Sequence, residues 1–318
     1  MYRLMMTVAL AFGMLFAPAA AMSAEFPDKT IHLISHSKPG GGMDIILRHL
    51  GRALEKKMPV AVVIENRPGA GAAVAMSYVA TSRNPGYTIA GVTNTHIMTS
   101  LTNNPPHGIK DLRAVCKLVT DPLVLFASSK SKWNSVKELL DDVKAHPNTY
   151  SIAASQVGSV EYLLAYNMIK QGNKMQLIPF EAGGELATAV MGGHVDIGLS
   201  EPSEVMGQVT AGNLKVLCTF TNKRLASMPD VPTAEEVGLA SDMQKVRVLM
   251  VPKKTPDAVV AYLEAACKDA MDDPDFKNFY QSNDMIADFK GAKDADAELN
   301  AIAASMAEQL TSLGLIKK

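Results

Sequence analysis

Ile31-His-Leu-Ile-Ser-His-Ser-Lys-Pro-Gly-Gly-Gly-Met-Asp-Ile-Ile-Leu47 runs from an apolar, strand-like stretch (Ile31 to Ser35) through a glycine turn into an apolar pattern of helical period at Ile45, Ile46, Leu47, Leu50 and Leu54. A strand, a glycine-rich turn and a helix in that order leave backbone N–H groups unpaired beyond the strand end, and the helix dipole adds positive potential there. The turn from Lys38 to Asp44 therefore suits an anion. It holds no obvious nucleophile or base, which points to binding before chemistry.

The same rhythm continues along the chain. Strand-like runs fall at Ile31–Ser35, Val60–Ile64, Thr88–Val92, Leu123–Ala127, Tyr150–Ala154, Gln176–Pro179, Asp196–Leu199, Lys215–Phe220 and Val246–Val251. Between most of them lie helical patterns such as Val136, Leu139, Leu140, Val143 and Tyr162, Leu163, Tyr166, Ile169. Helix starts are marked by Ser135 with Glu138, by Thr255-Pro256 and by Thr233 with Glu236; the stretch Asp294 to Leu313 is helical, with Ala297, Ile302, Met306 and Leu310 as its core stripe. This alternation predicts an α/β fold with mainly parallel sheets flanked by helices.

At the N-terminus a single basic residue, Arg3, precedes an apolar run to Phe16 and a small-residue run to Ala24. Too short to span a bilayer, this order reads as a secretory signal peptide over 1–24, cleaved near Ala21 to Ala24, so the mature protein is expected in the periplasm. The rest of the 318-residue chain is long enough for two domains, yet no flexible linker divides it. Two domains joined by passing strands reconcile these facts: residues 25–124 plus 247–318 as one and 125–246 as the other, with crossings at Leu123–Ala127 and Val246–Val251. A net charge of -1 gives no bulk attraction to nucleic acid or acidic membranes. Cys116, Cys218 and Cys267 form no metal-ligand or CxxC pattern, and their apolar neighbours favour three buried hydrophobes over a disulfide.

Further small-residue turns follow other strands: Asn66-Arg-Pro-Gly-Ala-Gly71, Ser155-Gln-Val-Gly-Ser159, Glu181-Ala-Gly-Gly184 and Ser200-Glu-Pro-Ser203; His96, in Thr93-Asn-Thr-His96 after Thr88–Val92, either lines the same crevice or is a plain loop residue. In open α/β sheets ligands sit in the crevice beyond the carboxyl ends of the strands, so these turns together predict a polar ligand cleft between the domains.

The strings Lys38-Pro-Gly-Gly-Gly-Met-Asp44, Val62-Val-Ile-Glu-Asn-Arg-Pro-Gly-Ala-Gly71 and Asn84-Pro-Gly-Tyr-Thr88 resemble the extracytoplasmic, Bug-type receptors of the tripartite tricarboxylate transporter system. Pro179-Phe-Glu-Ala-Gly-Gly-Glu185, Gly192-Gly-His-Val-Asp196 and Met228-Pro-Asp-Val-Pro-Thr233 follow in the family's order, so the resemblance covers the chain from about Phe26 onward. It implies a type II, Venus-flytrap binding protein, a monomer without metal or cofactor, that traps a di-, tri- or related carboxylate and passes it to a membrane permease. It further implies that Gly40, Gly41 and Gly42 supply amides, that Asp44 fixes the loop or holds a water, and that Ala70 and Gly71 sit beside them. Ser155, Gly158 and Ser159 would face them from the second domain with Gly183 and Gly184; beside these, the strand-end segments themselves offer Gln156, Ser200, Thr93 and Asn94 as candidate lining residues.

The chain departs from the family pattern at Ser35-His36-Ser37-Lys38. Two readings stand side by side: a partly protonated His36 with Lys38 supplies positive charge to a ligand carboxylate, or Lys38 faces solvent and His36 bonds a backbone carbonyl. Ser37 belongs to the same segment. Glu181 and Glu201 either point away from the cleft or bind an amine or hydroxyl of the ligand. Arg247 matches an arginine of the family's tricarboxylate-binding branch, but on a crossing strand it is expected to brace the hinge through a carboxylate partner. Gly69-x-Gly71 lacks the third glycine of a dinucleotide fingerprint, and the chain has no phosphate-binding loop, nucleophile elbow or zinc-protease motif. Its 19 methionines are read as core filler. A transport receptor is thus the first reading, and an exported sensor component or enzyme on the same scaffold is the alternative.

Overall fold

The structure, a computed structural model, describes residues 26–157, 159–181, 183–221, 223–239, 245–312, 314 and 316; residues 1–24, expected to be a signal peptide, and Gly158 lie outside these. In chain order the first lobe holds β1 (Ile31–Ser35), α1 (Gly42–Glu55), β2 (Val62–Asn66), α2 (Ala73–Ala80), β3 (Thr88–Val92), α3 (Asn94–Thr102) and β4 (Leu112–Asp121). The second lobe follows as β5 (Leu123–Ser128), α4 (Val136–Ala145), β6 (Ser151–Ser155), α5 (Val160–Lys170), β7 (Gln176–Phe180), α6 (Gly183–Met191), β8 (Ile197–Ser200), α7 (Pro202–Thr210) and β9 (Leu214–Phe220). The chain then returns to the first lobe with β10 (Lys245–Pro252), α8 (Asp257–Met271), α9 (Pro274–Ser282), β11 (Ile286–Gly291) and α10 (Ala292–Ser312).

β3 is buried along its whole length and β1 nearly so, because helices cover both faces of the sheet. α1 buries Ile46, Leu47, Leu50 and Leu54 on one stripe, with Asp44 in its first turn and Arg52 in its last, each charge complementing the helix dipole.

The sheets are orders β11-β4-β10-β3-β1-β2 and β7-β6-β8-β5-β9. Both are mixed, which corrects the expectation of mainly parallel sheets. The βαβ units give parallel pairs β1·β2, β1·β3, β6·β7 and β6·β8. The strands next to the crossings, β10 and β5, enter their sheets from the other lobe and pair antiparallel with every neighbour. The crossings also differ from expectation: β5 lies wholly in the second sheet and β10 wholly in the first. The chain changes sheets at Pro122, between β4 and β5, and again between β9 and β10.

One hydrophobic core runs through both lobes, joining Ile34 and Val92 to Leu125 and Ile152, and α10 closes it with Leu299, Met306 and Leu310. The α10 stripe is in the phase of Ala295, Leu299, Ile302, Met306 and Leu310, and Ala297 is exposed. Separate cores back the outer face of each sheet. All three cysteines are free and buried. Ser135 caps α4 by accepting the Glu138 N–H at 3.1 Å. Thr233 and Glu236 do exchange hydrogen bonds, but around a three-residue 3-10 turn, and α8 is capped by Pro256, one place beyond Thr255.

Candidate functional site

The turn between β1 and α1 is held from within. Asp44 accepts the Gly40 N–H at 2.9 Å, binds Arg48 through both carboxylate oxygens and takes the Asn66 amide at 2.8 Å. Burial pushes its carboxyl up, and these donors more than offset it, so its pKa is lowered. Asp44 thus fixes the loop. Gly41 donates its N–H to the Lys38 carbonyl at 3.0 Å, closing the turn in which Gly40 has φ 83°. The remaining amide, Gly42 N–H, points across the cleft to Glu204 Oε1 of the second lobe at 2.5 Å. All three glycine amides are therefore engaged by the protein itself, which corrects their expected role as donors open to a ligand.

Glu204 reaches that position because α7 starts immediately beyond β8, at the carboxyl end of the second sheet, and carries Glu204 in its first turn. Ser200 donates its hydroxyl to Glu204 Oε2. Beside it Glu201, almost fully buried, accepts from Lys245 and from Arg247 Nη2, the latter at 2.7 Å. Lys245 also binds Glu161, and Arg247 donates Nε to Asp121 Oδ2 at 2.5 Å. Arg247 therefore braces the two lobes through carboxylates, as its sequence context suggests. Glu201 faces inward, against the reading that it points away, and its charge is neutralised by two cations.

Burial raises the Glu201 carboxyl, but Lys245 and Arg247 outweigh it and hold the pKa well below the usual range. For Glu204, burial and the Glu201 charge act together and push the pKa well up. Of the pair, Glu204 therefore holds a proton more readily than Glu201. Burial, with His96, Lys245 and Arg247 nearby, drives the His36 pKa well down, and burial takes His96 to about 3. The His36 and His96 rings meet edge to face at 4.5 Å. His36 is therefore neutral at pH 7, which corrects the reading of it as a cation for the ligand, and no backbone carbonyl meets its Nδ1. Lys38 spans the cleft to Glu185 at 3.0 Å.

The structure brings His36, Ser37, Gly41 and Gly42 together with Ser155, Gln156, Ser159 and Gly183 around a cavity of about 20 Å³, room for about one water. A larger cavity, about 620 Å³, shares the walls Gln156, Ser159 and Glu181 and opens past Ala70 and Gly71 toward Met98, Tyr162, Leu163 and Tyr166. Ala70, Gly71 and Ala72 are all left-handed there, with φ of 48°, 59° and 76°. Glu181 is exposed and faces both cavities.

Besides Lys38, Gly40 and Asp44, which line neither cavity, four more expected residues lie elsewhere. Thr93 is a buried N-cap that accepts the Thr95 N–H, while His96 Nδ1 accepts the Thr93 N–H; Thr95 reaches the cavity instead. Asn94 Oδ1 accepts the Val246 N–H and anchors the start of β10. Ser200 lies behind Glu204, and Gly184 is exposed at the start of α6. Gly158 lies outside the described residues. The sequence reading missed Glu204, Lys245 and Glu161; a helix-borne glutamate reads as a solvated face, and only the approach of the second lobe reveals it.

Residues 46–307 match the family model described as the tripartite tricarboxylate transporter family receptor. The chain belongs to that family. Among relatives of this receptor, a UPF0065 protein of Bordetella pertussis is 31% identical over 276 residues, 85% of each chain. The structure of the periplasmic binding protein BugD matches the fold with a TM-score of 0.86 at 23% identity, covering 92% of this chain and 100% of that one. MatC of Rhodopseudomonas palustris, solved with bound malate, matches with a TM-score of 0.77 at 25% identity over 82% of this receptor and 91% of MatC.

Proposed function

We propose that this receptor works outside the cytoplasmic membrane, captures a small organic acid between its two lobes and presents the closed form to a membrane permease of the tripartite tricarboxylate type. One observation carries the reading: a carboxyl group, that of Glu204, already sits at the N-terminus of α1 on the Gly42 N–H, so the cleft accommodates that group. The signal-like N-terminus and the family support export and delivery, and the malate bound to MatC supports an acid as cargo. In this reading the head of the ligand lies among Ser37, Gly42, Ser155 and Ser159, and its body extends past Gln156 toward Gly71. The crossings support the two-lobe division expected as 25–124 with 247–318 and 125–246, with the change of lobe moved to Pro122 and the return placed before Lys245.

Thermal unfolding of the mature protein with a panel of organic acids tests the proposal. An acid present at 100 times its dissociation constant should stabilise the fold by about 2.7 kcal/mol. A flat response to every carboxylate, with shifts only from neutral sugars, would refute it. Turnover of any acid by the purified protein alone would move the reading to an enzyme.

A further inference from the structure

Glu204 stands where the head of a bound acid is proposed to lie, and the surrounding residues are shaped to hold it there. A Cβ on Gly183 would lie 2.0 Å from Glu204 Oε2, and one on Gly42 would lie 2.7 Å from Arg247 Nη2 and 3.0 Å from Glu201 Oε1. Real Cβ atoms do not approach that closely, so both glycines leave room for the protein's own charged groups.

The charges around the small cavity do not favour a dianion. Its two cations are already committed, Lys245 to Glu161 and Glu201, and Arg247 to Asp121 and Glu201. Glu181, Glu201 and Glu204 line the same space. A second ligand carboxylate would enter beside these acids with no uncommitted cation among the described residues of the wall to meet it. A first one does have partners. Arg247 and His36, both at least nine-tenths buried and on the cavity wall, have Nη1 and Nδ1 without a hydrogen-bond partner among the described residues.

We infer that the receptor selects an amphoteric acid, one whose carboxylate is accompanied by a protonated nitrogen, through an exchange at Glu204. The ligand carboxylate takes over the Gly42 N–H and the Arg247 Nη1 donor; Glu204, released as a carboxylate, accepts the ligand's N–H. The inference rests on the organic-acid reading above and narrows it. The exchange also moves a proton. Glu204 faces Glu201 from its own lobe, Lys245 and Arg247 from β10, with His36 at the end of β1 and Glu161 and Asp121 behind the two cations. In that setting the free receptor holds Glu204 protonated, and pairing with an ammonium ionises it, so binding releases one proton to solvent.

Matched ligands test this by titration calorimetry: 5-aminopentanoate against pentanedioate, and 2-aminopentanedioate against 2-hydroxypentanedioate. The aminated member of each pair should bind at least about tenfold more tightly. Titration in phosphate and in Tris should show about one proton released per ligand bound. Glu204→Gln keeps an acceptor for the Gly42 N–H but cannot ionise, and should lose both the discrimination and the proton release. The wild-type titrations need no variant, so a misfolded Glu204→Gln protein leaves the test intact. Dicarboxylates binding as tightly as their aminated partners, or binding without proton release, would overturn the exchange and leave the receptor reading standing. Failure of every carboxylate, aminated or not, would overturn the receptor reading itself.

Discussion

Replacing Arg247 by Met removes a guanidinium that is 1% exposed and tied to carboxylates from both lobes. Methionine fills much of the volume, so the loss is mainly electrostatic. Glu201 keeps Lys245, whereas Asp121 loses the guanidinium that pairs with it and stays 1% exposed. Stripping one partner from a buried pair costs about 3–5 kcal/mol. At about 2–4 °C per kcal/mol for domains of this size, the melting temperature should fall by roughly 10 °C. The pH dependence identifies the cause. Burial already raises the Asp121 carboxyl against the pull of Arg247, and without Arg247 it rises further. A carboxyl whose folded pKa is raised destabilises the fold while it is ionised, and that penalty fades as pH falls through the raised value, by about 1.4 kcal/mol per unit. Calorimetry at pH 7.5 and pH 5 should therefore show the deficit shrinking, and Arg247→Met with Asp121→Asn should recover about 2 kcal/mol of it. A loss below about 1 kcal/mol at pH 7.5, or a double variant no more stable than the single one, would refute the bracing role of Arg247.

Acid should destabilise the wild type through its buried histidines. His96 is neutral when folded, with a pKa near 3, so its contribution is complete above 6.5 and is lost as pH falls from there; by pH 5 the loss is about 2 kcal/mol. His96→Gln should flatten that part of the stability profile, and an unchanged profile would clear His96 of the effect. Gly42→Ala should cost about 1–3 kcal/mol in urea unfolding, since its Cβ must displace Arg247 or Glu201; a variant more stable than the parent would mean that the helix start tolerates a side chain there. Burial pushes the Cys218 thiol up to about 12, so a disulfide reagent at pH 8 should label it only as fast as the protein unfolds. Rapid labelling of the native protein would contradict its burial.

Much of the scaffold is written locally. Ile31–Ser35 and Thr88–Val92 coincide with β1 and β3 because short apolar runs bounded by turns have few alternatives. β4 escaped notice because Arg113 and Lys117 interrupt its apolar run, and the partners that make Lys117 acceptable there, Asp288 and Glu298, lie far along the chain. β11 is hidden for a different reason: it is an edge strand with no fully buried residue and little apolar signal. The strand-end turns did converge on the cleft at Ser37, Gly42, Ser155, Ser159 and Gly183. The charge state of that cleft was not legible, because it depends on Glu161, Glu201, Glu204, Lys245 and Arg247 meeting from separate elements. Small residues at strand ends mark where a ligand sits; which ligand depends on side chains whose meeting is a tertiary event.

The carboxyl of Glu204 on the Gly42 N–H also makes affinity in this receptor a contest. On the proposed function, an incoming acid competes with a rival that is tethered to the same molecule and present at an effective concentration on the order of millimolar or higher. What a titration measures is the surplus over that rival. Such a receptor gives up some tightness of capture, and in return a ligand that loosens its hold is replaced at once from within, which speeds its release.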